Sequence, residues 1–371
     1  MTDNPRQMTP SPGGTYVLCA GGTGGHMVPA HCLALELMAR GHKVHLVTDE
    51  RGLRFKEPTG SNGFVIAPSN TADGHALLLI NPHTSKGRSA ARKLFKDIHP
   101  RAVIGFGGYP ALPGLLAGLS LYLPCLIHEQ NAVLGRTNRY LAPRVRAIAT
   151  SFPRVRRMEG SWQRRAHFVG NPVRPEVLAA RDVKFDENAV RLKLLVTGGS
   201  QGAAVLNRVV PAAVRLLPAA VRANLDITHQ GRDEDAQEML AAYRAAGIEP
   251  TIAAYFPDLP AEMASSHIVI ARSGASTVAE LAVMGRPSIL VPLPIATDDH
   301  QADNAAALVA AGGAQMIRQQ DFTPERLAEA LTGWLTDRKG LAEAAAAARA
   351  AGHPEAAIRL ANLVIATGLI A

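Results

Sequence analysis

The side chains best able to do chemistry crowd into residues 272–304. Arg272-Ser273-Gly274-Ala275-Ser276-Thr277 leads to Glu280, and Asp298, Asp299, His300, Gln301 and Asn304 follow an apolar strand. A buried strand, His267 to Ala271, empties into the Ser-Gly turn, and a helix is expected from Ala275 or Ser276. The free N–H groups of that helix start favour an anion, and glycine lets the anion approach the main chain. Glu280, about one turn further on, can accept two hydroxyl hydrogen bonds of the kind a ribose diol offers. A phosphate seat, a diol acceptor and polar amides within one βαβ unit point to a nucleotide-sugar site.

A second group lies in the first half of the chain. Thr15 to Ala20 reads as a strand that runs into Gly21-Gly22-Thr23-Gly24-Gly25-His26, with a helix expected from about Pro29 to Arg40 and a strand at Val44 to Thr48. The dinucleotide spacing Gly-x-Gly-x-x-Gly fails, because the third position falls on Met27, and no Gly-x-x-x-x-Gly-Lys run exists. His26 stands at the mouth of the turn, either as a helix cap or as an acid–base group. Another glycine turn, Gly107-Gly108-Tyr109, follows the strand Ala102 to Phe106. The strand Leu123 to Ile127 ends in His128-Glu129-Gln130-Asn131. Four polar residues at the carboxyl end of a buried strand lie on the ligand side of such a sheet.

The elements that must position these groups alternate strand and helix throughout, the pattern of an α/β chain with parallel sheets. A chain of 371 residues suits two domains. The expected order is a loose tail at 1–14, a Rossmann-like domain at 15–170, a second at 171–353, and a final helix at 354–371. The second opens like the first, with strand Leu192 to Thr197 and the turn Gly198-Gly199-Ser200-Gln201-Gly202, where Ser200 and the amides can hold a phosphate oxygen.

Composition narrows the function further. Three cysteines without a Cys-x-x-Cys pair fit a reducing compartment with neither structural disulfides nor a zinc site. The longest apolar run, Leu112 to Ile127, is short and broken by prolines and glycines, so no membrane span is expected. Residues 1–170 hold 21 Lys and Arg against 9 Asp and Glu, which points to an anionic partner. The segment with Lys86, Arg88, Arg92, Lys93 and Lys96, beside Leu77 to Ile80, reads equally as a membrane-surface patch or as core strand plus solvated helix face. Aromatic residues at 5% and the lack of a nucleic-acid motif weigh against nucleic acid.

Seven motifs in order carry a resemblance over nearly the whole chain. They are residues 21–26, 107–109, 128–131, Gly170-Asn171-Pro172-Val173-Arg174, 198–202, 272–280 and 298–304. Together they resemble the MurG family, peripheral-membrane N-acetylglucosaminyltransferases of bacterial wall synthesis that convert lipid I to lipid II. The resemblance implies a glycosyltransferase B fold, two Rossmann-like doubly wound domains facing across a cleft, with the last helix returning to the first. It assigns the donor UDP-GlcNAc to Thr23, Gly24, Gly25, Asn131, Arg174, Ser200, Phe256, Ala275, Ser276, Thr277, Glu280 and Gln301. His26, Tyr109 and Glu129 fall on the acceptor side. Pro110-Ala111 replaces the Val-Ser expected after Gly-Gly-Tyr, and residues 69–86 lack the expected Leu-Arg-Gly-Lys run.

The implied reaction is a single inverting displacement on the anomeric carbon by the muramyl 4-hydroxyl of lipid I. His26 is the candidate base, with Glu129 as the alternative. No Asp-x-Asp follows a strand at Asp298 and Asp299, so no catalytic metal and no tightly bound cofactor are expected. The implied partners are lipid I, anionic lipid on the cytoplasmic face of the inner membrane, and other cell-wall enzymes. The rival enzyme readings are a glycolipid glycosyltransferase and a UDP-GlcNAc 2-epimerase.

Overall fold

The computed structural model describes residues 13–53, 76–79, 85–198 and 204–369. The chain divides into two compact units. One comprises the described residues up to Arg174 together with those from Pro354 onward; the other is Pro175–His353.

The first unit runs β1 (Thr15–Cys19), α1 (Gly24–Ala39), β2 (Lys43–Thr48), α2 (Glu50–Leu53), β3 (Ala76–Leu79), α3 (Ser85–Ile98), β4 (Ala102–Gly105), α4 (Gly108–Ser120), β5 (Cys125–Glu129), α5 (Arg136–Leu141), β6 (Ala147–Thr150), α6 (Gly160–Gln163) and β7 (Ala166–Phe168). Its seven strands are all parallel, in the order β3-β2-β1-β4-β5-β6-β7. Both faces of such a sheet must be covered. Alternate residues accordingly feed two cores: Tyr16, Leu18, Ile104 and Leu126 on one face, and Val17, Cys19, Val103 and Ile127 on the other.

The second unit runs α7 (Pro175–Ala180), β8 (Leu192–Thr197), α8 (Ala204–Leu216), α9 (Ala219–Arg222), β9 (Leu225–Gln230), α10 (Ala236–Ala245), β10 (Thr251–Ala253), α11 (Leu259–Ser265), β11 (Ile268–Ala271), α12 (Ala275–Met284), β12 (Ser288–Leu290), α13 (His300–Ala310), β13 (Ala314–Met316), α14 (Pro324–Thr336) and α15 (Arg338–Ala350). Its parallel sheet has the order β10-β9-β8-β11-β12-β13. In each unit the order reverses beside the first strand, the place where doubly wound sheets bind ligands at their carboxyl ends. The last helix, α16 (Ala356–Leu369), belongs to the first unit, where Leu360, Ala361, Val364 and Ile365 join its core. Asn362 Oδ1 accepts a hydrogen bond from Arg40 at 2.6 Å.

Local details depart from the sequence expectations. Helix α1 begins at Gly24 instead of near Pro29, because Thr23 adopts an extended N-cap conformation and Pro29 is absorbed inside the helix. Residues Ala76–Leu79 instead follow the strand alternative for that segment, as an edge strand paired with β2, while Ile80 lies outside the described residues. The break between units falls after Arg174 and not after Gly170; Asn171–Val173 are buried, and the Cys32 thiol donates to the Val173 carbonyl at 3.2 Å.

Candidate functional site

In the first unit the candidate groups gather where β1, β4 and β5 end. Asp49, immediately after β2, shapes the first glycine turn. Its Oδ1 accepts from the Gly22 and Gly52 amides at 3.1 and 3.0 Å, and its Oδ2 pairs with Arg51 at 3.0 Å. Burial pushes the Asp49 carboxyl up, but the amide bonds and Arg51 outweigh it and hold the group below its ordinary value. A Cβ on Gly21 would stand 2.6 Å from Asp49 Oδ1 and 2.7 Å from Pro110, so only glycine passes there. This carboxylate escaped the sequence reading, although an acid directly after a buried strand at the ligand end was a usable signal.

His26 is the third residue of α1, a place inside the helix and not at the mouth of the turn. It is half-buried, and its Nδ1 makes a long 3.5 Å contact with Thr23 Oγ1. The ring lies over the second glycine turn. Gly107 and Gly108 have φ of 82° and 70°, and a Cβ on Gly108 would come within 3.1 Å of His26 Cε1. The two glycine turns of the sequence thus fit together: one presents the imidazole and the other leaves it room. Tyr109, in the first turn of α4, is 63% exposed.

Glu129 ends β5 and is 2% exposed. Its Oε1 accepts from the Asn131 amide and Asn131 Nδ2 at 3.0 and 3.2 Å. Its Oε2 accepts from the Gly135 amide and Asn138 Nδ2, both at 2.8 Å. Burial raises this carboxyl above its ordinary value, and the four N–H donors oppose that by favouring the charged form. Asn131 therefore braces Glu129. Beside it, burial brings His128 down to about 4. Gln130 Nε2 donates to His128 Nδ1 at 2.9 Å, and Nε2 of that neutral ring lies 3.3 Å from the Gly170 carbonyl, as donor. Asn171 follows, buried, with neither amide atom hydrogen-bonded among the described residues, and Arg174 is half-buried.

In the second unit the candidate groups stand around the ends of β11 and β12. Helix α12 starts at Ala275 after Gly274, which offers no side-chain cap. By helix geometry the amides of Ala275, Ser276 and Thr277 lack intrahelical acceptors. The hydroxyls of Ser273 and Ser276 are buried without a hydrogen-bond partner among the described residues. Two orphaned hydroxyls beside a helix start suit an oxyanion, which accepts from both. Glu280, the sixth residue of α12 and about one and a half turns from its start, is 6% exposed. The Gln301 carboxamide oxygen accepts from the Leu293 amide at 3.0 Å, which leaves its nitrogen as a donor. Phe256 is half-buried in the loop after β10, beside Tyr255 at 67% exposure. Ser200 lies outside the described residues.

Arg272 has a role the sequence did not suggest. Its Nη1 donates to the Val291 and Pro292 carbonyls at 3.0 and 3.2 Å, and its Nη2 donates to Gln319 Oε1. Asp299 forms an ion pair with Arg318 at 3.1 Å. Among the described residues no group of three or more His, Cys, Asp or Glu side chains is placed to hold a metal ion. Nor is any helix among them long and apolar enough to cross a membrane.

Comparison with known proteins agrees along the whole chain. Residues 16–150 match the glycosyltransferase family 28 N-terminal domain, and residues 193–360 match the glycosyltransferase family 28 C-terminal domain. A protein of Rhodospirillum centenum is 51% identical over 95% of this chain and 94% of its own length. One of Zymomonas mobilis is 48% identical over 95% of this chain and 92% of its own length. Both are named UDP-N-acetylglucosamine–N-acetylmuramyl-(pentapeptide) pyrophosphoryl-undecaprenol N-acetylglucosamine transferase. Among solved structures, Acinetobacter baumannii MurG is similar at 29% identity with a TM-score of 0.77, over 96% of this chain and all of that one. The chain therefore belongs to glycosyltransferase family 28 and, within it, to the MurG family.

Proposed function

We propose that the protein is an inverting glycosyltransferase that moves GlcNAc from UDP-GlcNAc to the 4-hydroxyl of the muramyl sugar of lipid I, giving lipid II. The observation that carries this reading is the 51% identity, over 95% of the chain, to a relative named for that transfer. The geometry of the second unit supports it. The α12 start, with the Ser273 and Ser276 hydroxyls, suits the diphosphate of the donor. Glu280 accepts from the ribose diol, main chain near Phe256 meets the uracil, and the Gln301 amide nitrogen donates to a sugar hydroxyl. Thr23, Gly24, Gly25, Asn131, Arg174 and Ser200 complete the donor contacts.

In the reaction the muramyl 4-oxygen forms a bond to the anomeric carbon as the bond from that carbon to the phosphate oxygen breaks. The hydroxyl proton passes to His26, and UDP leaves as an anion stabilised by N–H donors and Arg174. The test is product analysis with UDP-GlcNAc in the presence and absence of a lipid I analogue. Lipid II formed only with acceptor is the expected result; a new hexosamine epimer formed without acceptor overturns it. For the donor site, Glu280→Ala is expected to raise the KM for UDP-GlcNAc by about 10- to 100-fold, the loss of hydrogen bonds to a charged acceptor. An unchanged KM would remove the diol role.

The membrane is the second partner in this proposal. Lys86, Arg88, Arg92, Lys93 and Lys96 are all exposed on α3, while Ala91 and Phe95 turn into the core. That face suits anionic lipid at the cytoplasmic surface, where the lipid-linked acceptor resides. At about 1 kcal/mol per basic residue, reversing Arg92, Lys93 and Lys96 to Glu should weaken binding to vesicles with anionic lipid by at least about 100-fold. Equal co-sedimentation with neutral and anionic vesicles would count against the patch.

A further inference from the structure

The loop between β12 and α13 is held in a shape it would not choose alone. Asp298 and Asp299 both sit in the left-handed region, with φ of 60° and 57°. Consecutive non-glycine residues there are uncommon and persist only where surrounding contacts impose them. Three such contacts exist. Arg272 grips the start of the loop through the Val291 and Pro292 carbonyls and is itself steadied by Gln319. Gln301 binds the Leu293 amide. Both terminal nitrogens of Arg318 donate to Asp299 Oδ2, each at 3.1 Å. Arg318 and Gln319 are adjacent, just beyond β13, so one short segment holds both ends of the loop. Asp299 directly precedes α13, and Gln301 is the second residue of that helix. The left-handed pair thus sets the register in which Gln301 is presented.

We propose that Arg318 and Asp299, with Arg272 and Gln319 behind them, are positioning residues that fix this loop and through it the affinity for the sugar half of the donor. They act through Gln301 and not by touching the substrate. This rests on the donor reading above, in which Gln301 meets the sugar while Glu280 and the α12 start meet the uridine and diphosphate. A loop that serves only the sugar predicts that UDP-GlcNAc binding suffers while UDP binding does not.

Calorimetric titration with UDP-GlcNAc and with UDP separates the two. For Arg318→Ala and for Asp299→Ala the Kd of UDP-GlcNAc is expected to rise about five-fold, the scale of an exposed ion pair, while that of UDP moves by less than about two-fold. The two losses should not add in the double variant, and the swap of Arg318→Asp with Asp299→Arg should recover part of the affinity. An unchanged Kd for UDP-GlcNAc, an equal weakening of UDP, or full additivity overturns the proposal while leaving transfer by the wild-type protein intact. A wild-type protein that binds neither ligand overturns the donor reading, and the latch with it.

Discussion

Replacing His26 by alanine is expected to lower kcat for transfer to a soluble lipid I analogue by about 10²- to 10⁴-fold, the range of a positioned general base. The expectation rests on where the ring stands. His26 is half-exposed on the first turn of α1, and its imidazole lies against the Gly107-Gly108 turn, where the absence of side chains leaves it room. The rival base is placed differently. Each Glu129 oxygen already accepts from two N–H donors, so neither offers its lone pairs to a substrate hydroxyl. The KM for UDP-GlcNAc should stay within a few-fold in His26→Ala. A kcat within a few-fold of wild type would end the assignment. Gly108→Ala provides a second route to the same conclusion, since its Cβ would push against the ring and the left-handed backbone would be strained.

The second large effect falls on stability. Glu129→Ala removes the acceptor of four hydrogen bonds, two of them from the backbone amides of Asn131 and Gly135. Buried donors left without an acceptor cost about 1–3 kcal/mol each, and replacement solvent has little access here. The expected loss is about 3–5 kcal/mol, in the range of broken buried charge networks. For a unit of this size that is a fall in Tm of roughly 10 °C. Glu129→Gln is not a benign control, because one of its ends would turn a donor towards two donors. A thermal melt of Glu129→Ala within about 2 °C of wild type, with activity abolished, would return Glu129 to the list of catalytic bases.

Much of the architecture was legible because it is local. Apolar runs ending in glycine turns, as at Cys19–Gly25 and Ala271–Gly274, record a strand feeding a helix, and the repetition of that unit calls for two parallel sheets. The placement of Glu280 within α12 was legible for the same reason, through its fixed spacing from a helix start. The start of α1 was less so. Pro29 is read as a first helical residue by its usual preference, yet the helix had already begun at Gly24.

The order of residues along this chain was enough to name the chemistry: polar groups at the ends of buried strands, glycine where an anion or a ring must come close. What each polar group is free to do was decided only by folding. Whether Glu129 is a base or a brace depends on the Gly135 amide and Asn138, which the turn after β5 brings under it. Whether Gly22 can offer its amide to a ligand depends on Asp49, at the end of the neighbouring strand. Arg272 and Gln319 lie 47 positions apart and meet because β11, β12 and β13 are adjacent in the sheet. A carboxylate or a guanidinium carries the same capacity to bond wherever it stands in sequence; sheet order determines which partner consumes that capacity and which remains for substrate.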